Sequence, residues 1–384
     1  MSGTATRIRL PLPDGSLALH ELGPPAAFQR PRQPLRSRVA FAAAHVVADP
    51  LAENVPGGPA HLDWEATLEY RRHLWSWGLG VAEAMDTAQR GMGLDWRTAA
   101  ELIRRTLREA EGRVACGAGT DQLAPGSARS LDDVAGAYEE QCDLIEAAGG
   151  QVVLMASREL ARLGAGPDDY ARVYARVLGG LRRPAILHWL GPAFDPQLGG
   201  YWGHRDLAAA TDSCLAVIAD NAVHIDGIKV SLLSAEHEVA MRARLPADVR
   251  MYTGDDLNFP SLIQGGSDAL LGIFDPIAPA ASTALQRLDA DDLEGFQHVL
   301  EPCLPLSRHI FQAPTFYYKT GVVFLAYLNG HQPHFRMLEG QESLRSVVHL
   351  AQVFVLADRA GLLEDPERAC DRMRGFLFLA GLET

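Results

Sequence analysis

Thirty-five basic residues occur in this 384-residue chain, yet only two of them are lysine, Lys229 and Lys319. A coding bias toward arginine accounts for most of that imbalance, because surface charge tolerates the swap. Chemistry does not, since a guanidinium stays protonated whereas an amine can be made neutral and nucleophilic. Lys229 lies in Ile225-Asp226-Gly227-Ile228-Lys229-Val230-Ser231, an apolar stretch with the look of a strand. A charged lysine there is costly unless paired or neutralised, and burial lowers an amine's pKa from its reference of ~10.4. A neutral amine attacks a ketone or aldehyde, and the resulting iminium is an electron sink for C–C cleavage or dehydration. The competing assignment is a structural lysine paired with Asp226 or with a carboxylate at a strand end.

Other reactive side chains fall at the ends of similar apolar runs. His188 interrupts Ala185-Ile186-Leu187 and is placed to be a general acid/base with a pKa near neutral. Its bland alternative is a hydrogen-bonded core histidine. Glu83, Asp86, Thr87, Thr120, Asp121, Ser231, Asp255 and Asp256 are candidates for binding the hydroxyl or carbonyl groups of a substrate. Asp255 and Asp256 are adjacent, so in a strand they point to opposite faces unless the backbone turns there. The structural alternative for Glu83 and Asp86 is a pair with Arg90 or Arg158. A second chemistry uses the same positions: His45, Glu83, Asp121, His188 and Asp255 offer N and O ligands for a divalent metal, although no HxH or HExxH spacing supports it.

These residues need a scaffold that brings strand ends together. Eight apolar runs recur from Val39 onward: Val39–Val47, Leu79–Met85, Val114–Ala118, Val152–Ala156, Ala185–Leu190, Ile225–Leu233, Val249–Thr253 and Ala269–Phe274. Consecutive apolar positions suit parallel strands covered on both faces. Between them lie amphipathic stretches. Tyr170, Val173, Tyr174, Val177, Leu178 and Leu181 follow one helical face, with Pro167 suited to the first turn. Ser130 and Asp133 have the spacing of a capping start. Strand and helix alternating eight times predict an α/β fold, a closed (β/α)8 TIM barrel, over residues 37–281. An open doubly wound sheet is weaker, because no GxGxxG or GxxxxGK[ST] loop is present. Residues 1–36 read as an appended β-hairpin turning at Asp14-Gly15, and residues 282–384 as a helical extension.

A net charge of −13 argues against a broad nucleic-acid footprint. No apolar run reaches the ~20 residues of a bilayer span, and Met1 to Arg9 lack a secretory pattern. Five scattered cysteines without a CxxC pair suggest neither a disulfide framework nor a zinc site. A cytoplasmic setting, no membrane partner and no cofactor are therefore expected, and the apolar C-terminal helices make a homo-oligomer, dimer or tetramer, reasonable.

Several motifs add to this reading. Gly227-Ile228-Lys229 resembles the Schiff-base lysine motif of the dihydrodipicolinate synthase and N-acetylneuraminate lyase superfamily of class I aldolases. Tyr252-Thr253-Gly254-Asp255-Asp256 is similar to that family's SGDD strand. Ala115-Cys116-Gly117-Ala118-Gly119-Thr120 resembles its AGTG strand, and Phe311-Gln312-Ala313-Pro314 with Lys319 resembles its EPNPxxxK segment. The resemblance runs over residues 39 to 330. It implies a barrel with helical C-terminal region and an imine-forming Lys229, with Lys319 outside the chemistry. Two departures stand out. The position of the family's catalytic tyrosine reads His188-Trp189, and its carboxylate-gripping loop aligns near Met85-Asp86-Thr87-Ala88, where an aspartate would repel a keto acid. The expected activity is a lyase, an aldolase or dehydratase acting on a sugar-derived ketone or keto acid through Lys229 and His188. The rivals are the metal enzyme above and a non-catalytic sugar-binding relative that kept only the fold.

Overall fold

Runs of Val, Ile, Leu and Ala too short for a helix form eight parallel strands. They are β3 (Ala40–Ala43), β4 (Gly80–Glu83), β5 (Val114–Ala118), β6 (Gln151–Met155), β7 (Ala185–Leu190), β8 (Ile225–Ser231), β9 (Arg250–Thr253) and β10 (Asp268–Leu271). Each pairs with its neighbours in sequence, and β10 pairs with β3, which closes the barrel. The computed structural model describes residues 6–382. The outermost residues of the expected appendage (1–5) and of the expected extension (383–384) lie outside the described residues. The fold class is the one expected, a (β/α)8 barrel with an N-terminal hairpin, β1 (Arg7–Pro11) and β2 (Leu17–Glu21), and C-terminal helices.

Among the strands that end short of their apolar runs, β3 and β10 do so for a physical reason. After β3 the His45 N–H donates to Asp275 Oδ2 (2.7 Å) and the Val47 N–H to Thr67 Oγ1 (3.1 Å). After β10 the Ile273 N–H donates to Asp256 Oδ1 (2.8 Å). Side-chain acceptors have captured the amides that a longer strand would give to its neighbour. The helix Pro167–Gly180 has its proline in the first turn, as expected, and buries Tyr170, Val173, Tyr174, Val177 and Leu178. Ser130 and Asp133 form a reciprocal capping box at the start of helix Leu131–Ala147. The helix Ala278–Asp289 runs straight across the expected boundary between 281 and 282, so the barrel's last helix leads into the extension without a break.

Alternation along the strands creates two cores. Phe41, Ala43, Ala82, Ala115, Val153, Met155, Ile186, Tyr252 and Leu270 pack inside the barrel. Their neighbours Ala42, Val81, Cys116, Leu154, Leu187, Ile228 and Leu271 face the surrounding helices. The N-terminal hairpin also meets the C-terminal helices. Asp358 on helix Val347–Arg359 accepts from the imidazole of His20 (2.8 Å) and from the Gly23 N–H (3.0 Å), tying the hairpin to the C-terminal helices. Among the described residues no helix is long and apolar enough to cross a membrane.

Parity decides the role of Glu83. It shares the outward face of Val81, not the mouth, which corrects the expectation that it binds substrate or a metal. Its carboxylate takes two hydrogen bonds from Arg71 (2.9 and 2.8 Å) and one from Thr106 (2.7 Å). Arg71, on helix Trp64–Ser76, also donates to the carbonyls of Thr67 and His45. Both side chains of the pair are completely buried. The Arg71 guanidinium and these hydrogen bonds hold the Glu83 carboxyl below the usual carboxylate range against the opposing effect of burial. The pair clamps the first barrel helix to β4. Removing one partner leaves an uncompensated buried charge, so Glu83→Gln is expected to destabilise the fold by about 3–5 kcal/mol in denaturant unfolding. A loss below about 1 kcal/mol would show that the clamp is not structural.

Candidate active site

Lys229 stands on the inward face of β8, flanked in register by His188 of β7 and Tyr252 of β9. Only 6% of it is exposed. Asp226, its possible structural partner, is taken instead by the Tyr252 hydroxyl (2.6 Å) and lies near Arg250 (3.8 Å). Burial lowers the Lys229 amine from the ordinary lysine value, while Asp86 and Asp256 pull it back up. Gly254 makes room for the lysine stem: a Cβ there would stand 2.8 Å from Lys229 Cε and 2.2 Å from Ser231 Oγ. A side chain at 254 would therefore displace the amine, which is a physical reason for glycine in Thr253-Gly254-Asp255.

The paired aspartates divide as strand parity and a backbone turn require. Asp255 caps the turn that follows β9. Its Oδ1 accepts from the N–H groups of Leu257 (2.9 Å) and Asn258 (3.1 Å), and its Oδ2 from the Asn258 amide (2.9 Å). That use of both oxygens corrects its expected part in substrate or metal binding. Asp256 is buried, and burial together with Asp255 pushes its carboxyl up to about 7, despite Lys229 and the Ile273 N–H. It has the proton affinity of an acid/base group working near neutral pH.

His188 is brought to Lys229 but in a different state from the one expected. Burial and then Lys229 push its pKa well below the ordinary histidine value, so the ring is neutral at pH 7 and not poised at its midpoint. One ring nitrogen, Nε2, lies 3.2 Å from Ser231 Oγ, and the other, Nδ1, is buried without a partner. A neutral imidazole here can accept or hand on a proton, but it does not store one.

Asp86 and Thr87 follow β4 in a strained loop, with Ala84 at φ +53° and Gln89 at φ +66°. Such conformations cost about 1 kcal/mol or more for residues with a side chain and persist only where the surroundings enforce them. Thr87 Oγ1 lies 2.8 Å from the hydroxyl of Tyr318, which enters from the C-terminal helix Tyr318–Asn329. The Tyr318 ring stacks on Phe311 (4.4 Å, 16°) and meets Phe194 edge-on (6.0 Å), roofing the mouth. Burial, then Asp86, push the Tyr318 phenol well above the ordinary tyrosine value, so it is a hydrogen-bond donor at neutral pH. Sequence reasoning missed this tyrosine. Its one signal was its place immediately before Lys319, the second lysine. Lys319 is itself buried, donates to the Phe316 carbonyl (3.1 Å), and is lowered by burial to about 8 with Asp86 opposing. Asp86 therefore acts on both lysines.

The remaining candidates are engaged elsewhere. Asp121 is paired with Arg90 and accepts from Gln141 (3.0 Å), while Arg90 also reaches the carbonyls of Ala84 and Gly117. The Thr120 hydroxyl lies 2.7 Å from that of Ser157, which caps helix Arg158–Leu163. His45 is held between Asp275 (2.9 Å) and Gln332 (3.1 Å). The proposed metal set of His45, Glu83, Asp121, His188 and Asp255 is thus dispersed, since four of the five are bound to separate structural partners. What the fold does assemble is Lys229, His188 and Ser231 on neighbouring strands, with Asp86 and Asp256 acting on the amine and the Thr87–Tyr318 pair in the field of the same two carboxylates.

Comparison with known proteins agrees with this architecture. The barrel is similar to dihydrodipicolinate synthase from Thermotoga maritima, with a TM-score of 0.63 and 15% identity over 85% of this chain and 100% of that one. The enzyme of that name from Rhodopseudomonas palustris gives a TM-score of 0.63 and 16% identity, over 84% of this chain and 97% of that one. YagE of E. coli K12, a prophage protein of the dihydrodipicolinic acid synthase family solved in complex with pyruvate, gives 0.61 and 15%, over 90% and 99%. Identities this low establish the shared fold, which is the one the motif resemblance implied. No curated protein sequence matches the chain. A family model described as "Protein of unknown function (DUF993)" matches residues 8–382, nearly the full length, and the chain belongs to that family.

Proposed function

We propose that this protein is a Schiff-base-forming lyase, an aldolase or dehydratase, acting on a sugar-derived ketone or keto acid. The observation that carries the reading is the Lys229 amine, buried at the barrel mouth, lowered by desolvation and bordered by Asp86 and Asp256. The neutral amine adds to the substrate carbonyl, and loss of water gives an iminium. In aldol cleavage, a base takes the proton of the hydroxyl on the carbon beyond the α-carbon. The C–C bond breaks as that oxygen becomes a carbonyl, the distal fragment leaves as an aldehyde or ketone, and the bond's electron pair moves into the iminium as an enamine. Asp256, with a carboxyl near 7, suits that base. The enamine then takes up a proton, and water releases the product from Lys229. The Tyr318–Thr87 hydroxyl pair suits a hydrogen-bond donor to the substrate oxygen.

The substrate class follows from charge. Arg90, one cation beside the loop after β4, is already neutralised by Asp121, and Lys319 lies in the field of Asp86. Asp86 in that loop disfavours a carboxylate and favours hydroxyls, which donate hydrogen bonds to it. A polyhydroxylated carbonyl compound therefore fits better than pyruvate. The fold relatives named as dihydrodipicolinate synthases support the lyase class and leave this substrate distinction to the present chain's own residues.

Borohydride reduction with a panel of ketones and keto sugars is expected to leave a stable adduct, and peptide mass mapping is expected to find it on Lys229. Lys229→Arg should fold normally and lose turnover. An adduct on Lys319, or activity retained in the arginine variant, would overturn the assignment. The pH profile offers a separate check. Asp256 as a carboxylate base predicts that kcat/KM falls as pH drops below about 7, and that Asp256→Asn loses that limb along with most of the rate. A limb unchanged in this variant would remove Asp256 from the mechanism. Tyr318→Phe is expected to lower kcat by about 10²-fold or more with folding intact. A kcat within twofold of the parent would make the tyrosine only a part of the roof.

A further inference from the structure

Away from the barrel mouth, a cavity of about 240 Å³ opens where the three parts of the chain meet. Pro25, Ala26 and Phe28 of the N-terminal link line one side, and Pro276 and Pro279 after β10 line another. His73, His331 and Glu364 also line it. His73 is near the end of helix Trp64–Ser76, His331 follows helix Tyr318–Asn329, and Glu364 precedes helix Pro366–Leu379. One nitrogen from each imidazole and one carboxylate oxygen all lie within 4.8 Å of one another. His331 Nε2 is 3.3 Å from Glu364 Oε1, and the two imidazole centroids are 4.2 Å apart.

We propose that His73, His331 and Glu364 form a binding site for a divalent transition metal of the zinc class, with its open coordination position facing this cavity. Two imidazole nitrogens and one carboxylate are a donor set that suits zinc, and zinc sites with three protein ligands keep a fourth position for water or a small ligand. Bonds of ~2.0–2.1 Å in a tetrahedral arrangement separate ligand atoms by about 3.4 Å. The His331–Glu364 spacing already meets that value, and modest rotation brings in His73. The surroundings hold the ligands in place. The His73 ring lies against Tyr70 (5.4 Å, 25°), whose hydroxyl donates to Asp275. Asn329 accepts from the Glu364 N–H (3.1 Å) and donates to the Leu362 carbonyl (2.9 Å), fixing the loop that carries the carboxylate. Supporting partners of this kind are what orient metal ligands. A bound ion would join the first barrel helix to both segments of the C-terminal extension.

The test uses the untagged full-length chain, because an affinity tag would itself bind the metal. Equilibrium dialysis against Zn²⁺ followed by elemental analysis is expected to leave one equivalent bound, and Co²⁺ in its place should give the visible bands of a low-coordinate N/O site. His331→Gln and Glu364→Gln should each weaken binding by at least about tenfold, an effect comparable to losing even an outer partner of a metal ligand. Zn²⁺ should raise the Tm of the parent and not of these variants. Glu364 is exposed, so its variant keeps the fold testable even where a histidine variant does not. Retention of less than a tenth of an equivalent, or equal binding by parent and Glu364→Gln, would overturn the site and leave a plain imidazole–carboxylate pair.

Discussion

The Lys229 amine sits under two opposed influences, and the candidate site depends on their balance. Burial among the barrel strands removes the cost-free hydration of an ammonium, whereas Asp86 and Asp256 favour the charged form. A lysine with burial alone would be neutral but poorly placed to pass on protons, and one tightly paired to a carboxylate would be locked as a cation. The fold avoids the second outcome by giving Asp226 to Tyr252 and both oxygens of Asp255 to a turn. The carboxylates left beside the amine are those with no competing claim of that strength.

The same economy of partners sorts the whole set of polar strand ends. Glu83 and Asp121 carry full arginine pairs, and His45 is fixed between Asp275 and Gln332. These groups hold helices and loops onto the barrel and so determine the shape of the mouth without lining it. Asp256 takes only backbone N–H groups after β10 and has a carboxyl raised to about 7, and His188 has one ring nitrogen with no partner. Incomplete satisfaction of buried polar groups separates the reactive candidates from the structural ones, because a group with spare hydrogen-bonding capacity is one that a ligand can complete.

The C-terminal extension reaches the candidate site as well as packing on the barrel. Its Tyr318 roofs the mouth and meets Thr87, and its Lys319 lies in the field of Asp86. In the sequence the position expected to carry a catalytic tyrosine reads His188-Trp189. A tyrosine hydroxyl is nevertheless brought to Thr87 and into the field of Asp86 and Asp256, delivered from another element roughly 130 residues later in the chain. Lys319, set aside at the level of motif as lying outside the chemistry, shares an electrostatic neighbour with Lys229.

The sequence by itself determined the barrel, because eight apolar runs alternating with helical stretches admit few other closed arrangements, and it singled out Lys229, because chemistry cannot exchange an amine for a guanidinium. It also marked His188, Asp86, Thr87 and Asp256 as belonging to strand ends. Only the tertiary structure decided which of those ends face the interior and which are already spoken for. Glu83 differs from its strand neighbour Ala82 by strand parity, and Arg71 reaches it from a helix 12 residues earlier. Asp255 and Asp256 are neighbours whose roles part at a turn that no local pattern announces. Tyr318 and the His73–His331–Glu364 cluster join residues far apart in the chain, and distance in sequence carries no information about such meetings until the chain has folded.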